Sequence, residues 1–456
     1  MHYHLIGIGG AGMSAIAWIL HERGESVSGS DRQESDTILR LRAVGITVSV
    51  GHAADNVRGA DLVVYSAAIP PDNPELVEAR RRGIEAIERP EMLGRIMEPY
   101  RHRIAISGTH GKTTTTSMLG VILDRAHFDA SVLIGGEVKL LGGNARLGNG
   151  STIVTEACEA FGSFLHLWPS IAVITNIDAD HLDHYGTVEA VEDGFRKFVR
   201  QIDMDGCVIG CADDPRTVAV LHGCGRRVIR FGFEESADVR AVDVDVSNPH
   251  PTYTLTRNGA ALGTVELNVP GEKNVVDSLA AAAAAFELGL SFEDIQAGLA
   301  EFNGAGRRFE ILYDEGGVMI VDDYAHHPAE VRATLIAARA YSKRVVAVFQ
   351  PHLYSRTKAF VGDFADALML ADEVIVTSIY AAREKPMDGV SAELIVSEML
   401  KNGCSNVRYA PDMERIAGEL IDKIKSGDMV LVIGAGDIVR VGEELACMLR
   451  GRNSLG

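Results

Sequence analysis

The chain has 456 residues, 46% of them hydrophobic and 23% charged, and a formal net charge of −19. That length is too great for one hydrophobic core and predicts two or three domains of an ordinary soluble class. The acidic balance argues against nucleic acid or an anionic membrane as partner.

The six cysteines, at 158, 207, 211, 224, 404 and 447, follow no disulfide or zinc spacing. Reduced thiols and a cytoplasmic setting are the expectation. Leu5–Leu20 is uncharged, but four glycines interrupt it and no Lys or Arg precedes it. It is also shorter than the roughly 20 residues of a membrane span, so it reads as strand, turn and helix.

Three α/β blocks follow. In the first, about 1–100, Tyr3–Ile8 reads as a strand, Met13–Arg23 as a helix, Ser26–Ser30 as a strand ending at Asp31, and Asp61–Ser66 as a buried strand. The turn Gly7-x-Gly9-Gly10-x-Gly12 matches the dinucleotide fingerprint, and Asp31 lies at the right remove to meet a ribose. The block is closer to half of a full dinucleotide domain, and such a turn holds a UDP diphosphate as well as NAD.

The second block, about 101–305, opens on RIAISGTHGKTT at 103–114. An apolar strand enters Gly108-Thr109-His110-Gly111-Lys112-Thr113-Thr114, and Met118, Leu119 and Ile122 give the following helix an apolar stripe. Glycines admit backbone amides to phosphate oxygens, and the helix N-terminus adds positive potential. The lysine would meet the outer phosphates and the threonine hydroxyl a magnesium ion. A full P-loop would have glycine where Ile106 stands; the shorter G-x-x-G-K-T form keeps the strand before and the helix after.

Thr152–Thr155 and Ile171–Ile177 are short apolar runs of the kind parallel strands bury on both faces. Each ends in acids: Glu156 with Glu159, then Asp178, Asp180, His181, Asp183 and His184. Ligands gather at the carboxyl ends of such strands, so Thr113, Glu156 and His181 are candidates to converge on Mg²⁺. A solvated acidic loop or a transition-metal site are the alternatives for the histidine-rich cluster. Residues 238–269 alternate and predict an antiparallel addition; Ser278–Leu290 is an alanine-rich helix.

The third block, about 306–456, repeats the theme with strands at Val318–Val321, Arg344–Phe349, Glu373–Thr377 and Met429–Ile433. Arg307-Arg308 at its start would reach a triphosphate. Asp322-Asp323-Tyr324-Ala325-His326-His327 ends one strand, where acids suit a ribose. Arg356, in QPHLYSRT after another strand, suits a carboxylate clamp, with a surface salt bridge as the alternative. The expected fold class is therefore α/β, in three domains on mostly parallel sheets, bounded at 1–100, 101–305 and 306–456.

Taken together, HLIGIGGAGMSAIA, SGTHGKTTTT, EACEAFGSFL, TNIDADHLDHYG, GAGRRFE, DDYAHHPAE, FQPHLYSRT and IGAGDI resemble, in order and nearly end to end, the Mur ligases of bacterial cell-wall synthesis. The resemblance implies a UDP-sugar domain, an ATPase centre and a C-terminal Rossmann-like domain. FQPHLYSRT points within the family to ligation of L-alanine to the lactyl carboxylate of UDP-N-acetylmuramate, through an acyl phosphate. ATP and Mg²⁺ are the implied cofactors, in a cytoplasmic monomer or weak homodimer.

It further implies that Gly9, Gly10, Gly12, Met13, Asp31 and Ser66 bind the UDP-sugar, and that Gly108 to Thr114 hold the phosphates. Lys112 would touch the β/γ-phosphates; Thr113, Glu156 and His181 would ligate Mg²⁺. Asn274 would meet adenine, Arg308 the phosphates and Asp323 the ribose. Tyr324, His326 and Arg356 would line the alanine site, with His326 a candidate base. Three positions depart from the pattern. Lys273 stands for histidine, Asp277 for asparagine, and Leu353 for the second arginine of many relatives.

Overall fold

The computed structural model describes residues 1–341, 344–382 and 384–453; the side chains of Leu182 and Asp183 lie outside the described part. Two compact units form. One comprises Met1–Asp243, Tyr253–Glu266 and Val276–Phe302; the other comprises Val244–Thr252, Leu267–Val275 and Asn303–Gly456.

Three sheets carry the architecture. The first contains β1 (His2–Ile6), β2 (Ser26–Asp31), β3 (Thr47–Val50), β4 (Leu62–Tyr65) and β5 (Glu85–Glu88) in the order β3-β2-β1-β4-β5, all parallel. Five strands make it smaller than a full dinucleotide domain, in keeping with the length of the block.

The second sheet has ten strands: β6 (His102–Ser107), β7 (Ala130–Val138), β8 (Gly143–Arg146), β9 (Thr152–Glu156), β10 (Ile171–Ile174), β11 (Cys207–Cys211), β12 (Arg227–Gly232), β13 (Val239–Asp245), β14 (Thr252–Arg257) and β15 (Ala260–Glu266). Their order is β15-β14-β13-β12-β11-β10-β6-β9-β7-β8. β6 lies between β9 and β10 and is parallel to both. The alternating 238–269 stretch supplies the β13–β15 edge. Its first strand joins β12 in parallel, through Phe231↔Val239 and Gly232↔Arg240, where an antiparallel addition was expected.

The third sheet has β16 (Glu310–Glu315), β17 (Val318–Asp323), β18 (Arg344–Phe349), β19 (Glu373–Val376), β20 (Val407–Tyr409) and β21 (Asp428–Ile433), ordered β16-β17-β21-β18-β19-β20. All pairs are parallel except the β16–β17 hairpin. Val345 to Phe349 and Met429 to Ile433 are fully buried, as runs covered on both faces must be. No helix among the described residues is long and apolar enough to cross a membrane.

The helix Lys112–Arg125 is buried well beyond the stripe formed by Met118, Leu119 and Ile122; Thr115, Thr116 and Ser117 are buried too. Thr116 Oγ1 donates to the Lys112 carbonyl at 2.8 Å and Ser117 Oγ to that of Thr113 at 2.6 Å. Back-bonding of this kind satisfies hydroxyls that burial would otherwise penalise. A second helix, Phe292–Glu301, starts at a capping box built by Ser291 and Asp294. At Gly298 a Cβ would stand 2.5 Å from Ile122 Cα. Gly298→Ala should therefore push the two helices apart and cost about 1–3 kcal/mol in denaturant unfolding; a loss under about 0.5 kcal/mol would contradict so close an approach.

Candidate active site

β6 ends at Ser107, and the next four residues turn tightly into the helix Lys112–Arg125. Gly108 has φ +129° and Gly111 φ +86°. A Cβ at Gly108 would fall 2.0 Å from Thr175 Oγ1, and one at Gly111 would fall 2.2 Å from Asp277 Oδ1. Conformation and close approach both require glycine here.

The segment after β10 braces this loop. Asn176 accepts from the Thr109 amide through its carbonyl at 3.0 Å and from the His110 amide through Oδ1 at 2.9 Å. Its Nδ2 returns a bond to the His110 carbonyl at 3.0 Å, and the Asp178 amide donates to Thr109 Oγ1 at 2.8 Å. The strand expected over Ile171–Ile177 thus stops at Ile174, because Thr175 and Asn176 turn to the loop. Two loop amides are spent in this way. The first-turn amides of the helix are capped by no side chain, and no acid stands in that turn. An anion would meet these groups.

Lys112 folds over the loop. Its Nζ donates to the Gly108 carbonyl, to the Thr109 carbonyl at 3.0 Å, and to both Glu159 oxygens at 3.2 and 2.9 Å. Burial works against the ammonium, but Glu159 outweighs it and holds the lysine above its ordinary pKa. His181 Nε2 lies 3.6 Å from the same Glu159 carboxylate, and His181 itself has φ +54°. Glu156 ends β9 opposite Ile106 of β6, and its Oε1 accepts from the Gly135 amide at 2.6 Å. Lys112, Glu159 and His181 are therefore in one contact group, with Thr113 and Glu156 at neighbouring element ends. Asp178 meets His110 at 3.7 Å and Arg216 at 3.5 Å, whereas His184 rests edge-on against Phe161 and Tyr185.

At the N-terminal turn, the Gly7 and Ile8 amides donate to the Ser30 carbonyl, and the Gly9 amide donates to Asp31 Oδ2 at 2.9 Å. Asp31 thus grips the turn from the end of β2. The helix Ala11–Glu22 follows Gly10 without a side-chain cap and buries Met13. A Cβ at Gly7 would lie 3.5 Å from Ser66 Oγ. Sequence reading missed two residues here. Arg89 sets its guanidinium 3.0 Å from where a Gly12 Cβ would be, and Asn144 donates to the Ala11 carbonyl at 2.8 Å. Neither stands in a recognisable motif.

The second unit has its own cluster beyond the ends of β17 and β18. Arg307, with φ +59°, donates to Asp322 at 2.8 Å and to the Gly434 and Gly436 carbonyls. It is a staple within the unit. Both guanidinium groups stand over the Tyr324 ring, Arg307 at 5.1 Å and Arg308 at 5.2 Å from its centroid. The Asp323 carboxylate accepts the Phe309 and Ala325 amides, each at 2.8 Å. Asn274 Nδ2 donates to the Pro270 carbonyl at 2.7 Å.

His326 Nδ1 lies 2.9 Å from the Tyr324 carbonyl, so it carries the proton and Nε2 keeps the lone pair. Burial first, then Arg356 and Arg308, push this imidazole down to about 4 against the opposing pull of Glu330. The His326 ring meets that of His352 at 5.5 Å, and Arg356 reaches His352 Nδ1 at 3.3 Å. Leu353, where an arginine was expected, is buried at φ +69° and opens the short helix bearing Arg356.

Three family models match the chain: "Mur ligase family, catalytic domain" over 2–101, "Mur ligase middle domain" over 106–285, and "Mur ligase, glutamate ligase domain" over 307–436. The UDP-N-acetylmuramate–L-alanine ligase of Trichlorobacter lovleyi is 45% identical over 445 residues, 97% of each chain. That of Clostridium novyi is 46% identical over 441 residues, 96% of each. Among solved structures, UDP-N-acetylmuramate-alanine ligase from Thermotoga maritima has a TM-score of 0.85 at 31% identity and covers 100% of both chains. A murein peptide ligase from Psychrobacter arcticus reaches 0.75 at 27% identity and covers 98% of both. With its three sheets, strand-end clusters and matches along almost its whole length, the chain belongs to the Mur ligase family.

Proposed function

We propose that the chain joins L-alanine to the lactyl carboxylate of UDP-N-acetylmuramate at the expense of ATP, supplying peptidoglycan precursor. The observation that carries this reading is the glycine-bounded loop that delivers Lys112 to an uncapped helix N-terminus. The names of relatives 45% and 46% identical supply the substrates. Residues 1–100 would take the sugar nucleotide, 101–305 ATP and 306–456 the amino acid, in a cytoplasmic monomer or weak homodimer.

A lactyl carboxylate oxygen attacks the γ-phosphorus, the bond to the bridging oxygen breaks, and ADP leaves. Lys112 and the first-turn amides offset the charge on the transferring group. The alanine amine then attacks the acyl carbon, the bond to phosphate breaks, and inorganic phosphate departs. Thr113, Glu156 and His181 offer a hydroxyl, a carboxylate already oriented by the Gly135 amide, and an imidazole, a donor set that suits Mg²⁺. Bound there, the ion would neutralise phosphate charge.

Gly9, Gly10, Gly12, Met13, Asp31 and Ser66 serve the UDP-sugar; Asn274, Arg308 and Asp323 serve the nucleotide. Tyr324 and Arg356 orient alanine, Arg356 through its carboxylate. With a pKa of about 4, His326 is too weakly basic to strip a free ammonium. Its Nε2 suits an amine that has already attacked, when the nitrogen has become acidic.

Lys112→Ala should abolish ATP-dependent phosphate release while circular dichroism stays native; unchanged turnover would reject the loop assignment. Arg356→Ala should raise KM for alanine at least about tenfold and leave KM for ATP within about threefold. Equal effects on both would remove its clamp role.

His326 also predicts a pH effect. Its folded pKa of about 4 lies below the unfolded value near 6.5, so the unfolded chain binds more protons in that window. Its contribution is complete above about pH 6.5 and is lost as pH falls towards 4. Asp322, pushed up to about 6 by burial, works in the opposite sense. The informative quantity is therefore the difference between wild type and His326→Gln. The variant should lose less stability between pH 6.5 and 4.5, by up to roughly 3 kcal/mol; parallel denaturation curves would exclude a buried neutral imidazole.

A further inference from the structure

Glu159 has no part in the reaction as written above. It follows β9 by three residues, and its side chain is only 2% exposed. Tyr185 Oη donates to its carbonyl at 2.6 Å, which fixes this turn from the segment that carries His181. Its carboxylate faces two groups at once: Lys112 Nζ at 2.9 Å and His181 Nε2 at 3.6 Å. The other lysine contacts are carbonyls of its own loop, Gly108 and Thr109. Four acceptor oxygens of the protein therefore share the three protons of one ammonium.

An ammonium buried here must always have an anionic partner. A polyanion that arrives at the helix N-terminus competes with Glu159 for Lys112. When the lysine transfers, the same carboxylate still faces His181. We propose that Glu159 is a positioning residue, which holds Lys112 over the loop in the resting enzyme, yields it to the triphosphate, and then orients His181. The proposal rests on the reading of residues 108–114 as a phosphate loop.

Glu159→Gln keeps the shape and removes the charge, so the lysine is no longer held back. Calorimetric titration of the full chain with ATP in EDTA should show affinity at least about fivefold tighter in Glu159→Gln than in wild type. At saturating ATP and Mg²⁺, kcat should fall at least about tenfold, because His181 has lost its charged neighbour. A structural role alone would weaken binding, not tighten it. Equal or weaker metal-free binding overturns the resting-state role, and an unchanged kcat overturns the role towards His181. If wild type takes up no ATP, the phosphate-loop reading fails instead. Should Glu159→Gln not fold, Glu159→Asp, which withdraws the carboxylate by one methylene, carries the test: intermediate tightening is expected, and wild-type or weaker affinity overturns the proposal.

Discussion

The lack of room for a Cβ at residues 108 and 111 governs the first unit. Thr175 and Asp277 press against those glycines so closely that the chain has one path from β6 into the helix. The helix N-terminus is thereby aimed beyond the strand ends, where ligands of parallel sheets collect. Asn176 then uses the amides of Thr109 and His110 to lock the path. Two donors are thereby spent within the loop, while the first helical turn keeps its amides uncapped. A lysine so buried must be paired, and Glu159 supplies the carboxylate that pairs it.

The second unit solves the same geometric problem with guanidinium groups. Arg307 and Arg308 are adjacent and both stand over the Tyr324 ring, but Arg307, at φ +59°, also donates to Asp322 and to the turn at Gly434–Gly436. That staple joins the ends of β17 and β21, and it leaves Tyr324 and His326 just past the strand. Arg308 lies on the Tyr324 ring, a contact that keeps its charge available.

Much of this was legible in the sequence because it depended on local pattern. Runs such as IAVI and RVVAVF could only be strands covered on both faces, and GTHGKT could hardly be other than a turn into a helix. What stayed hidden depended on tertiary register. Asn176 read as the continuation of a strand, because nothing in IAVITNI says that its side chain will bond a loop 66 residues earlier. Asp277 was noticed as a departure from family pattern, but its packing against Gly111 follows from the closing of a distant helix. Arg307 and Arg308 are identical as letters; nothing in the sequence says that Arg307 will also bond Asp322 and the Gly434–Gly436 turn. The parallel β12–β13 pairing was missed because alternation reports which face is buried, not which direction a neighbour runs.

Net charge sharpens the same point. A chain at −19 whose proposed substrates are polyanions has the wrong sign for long-range attraction. At physiological salt that field fades over about 8 Å, so repulsion matters little once a ligand is at the surface. On the proposed reading, recognition comes from contact groups: uncapped first-turn amides, Lys112, Arg308 and Arg356. Amides and helix termini carry no formal charge, so they bind anions without altering the acidic surface. Where formal cations are used, the protein pairs or stacks them in advance, Lys112 on Glu159, Arg308 on Tyr324 and Arg356 beside His352.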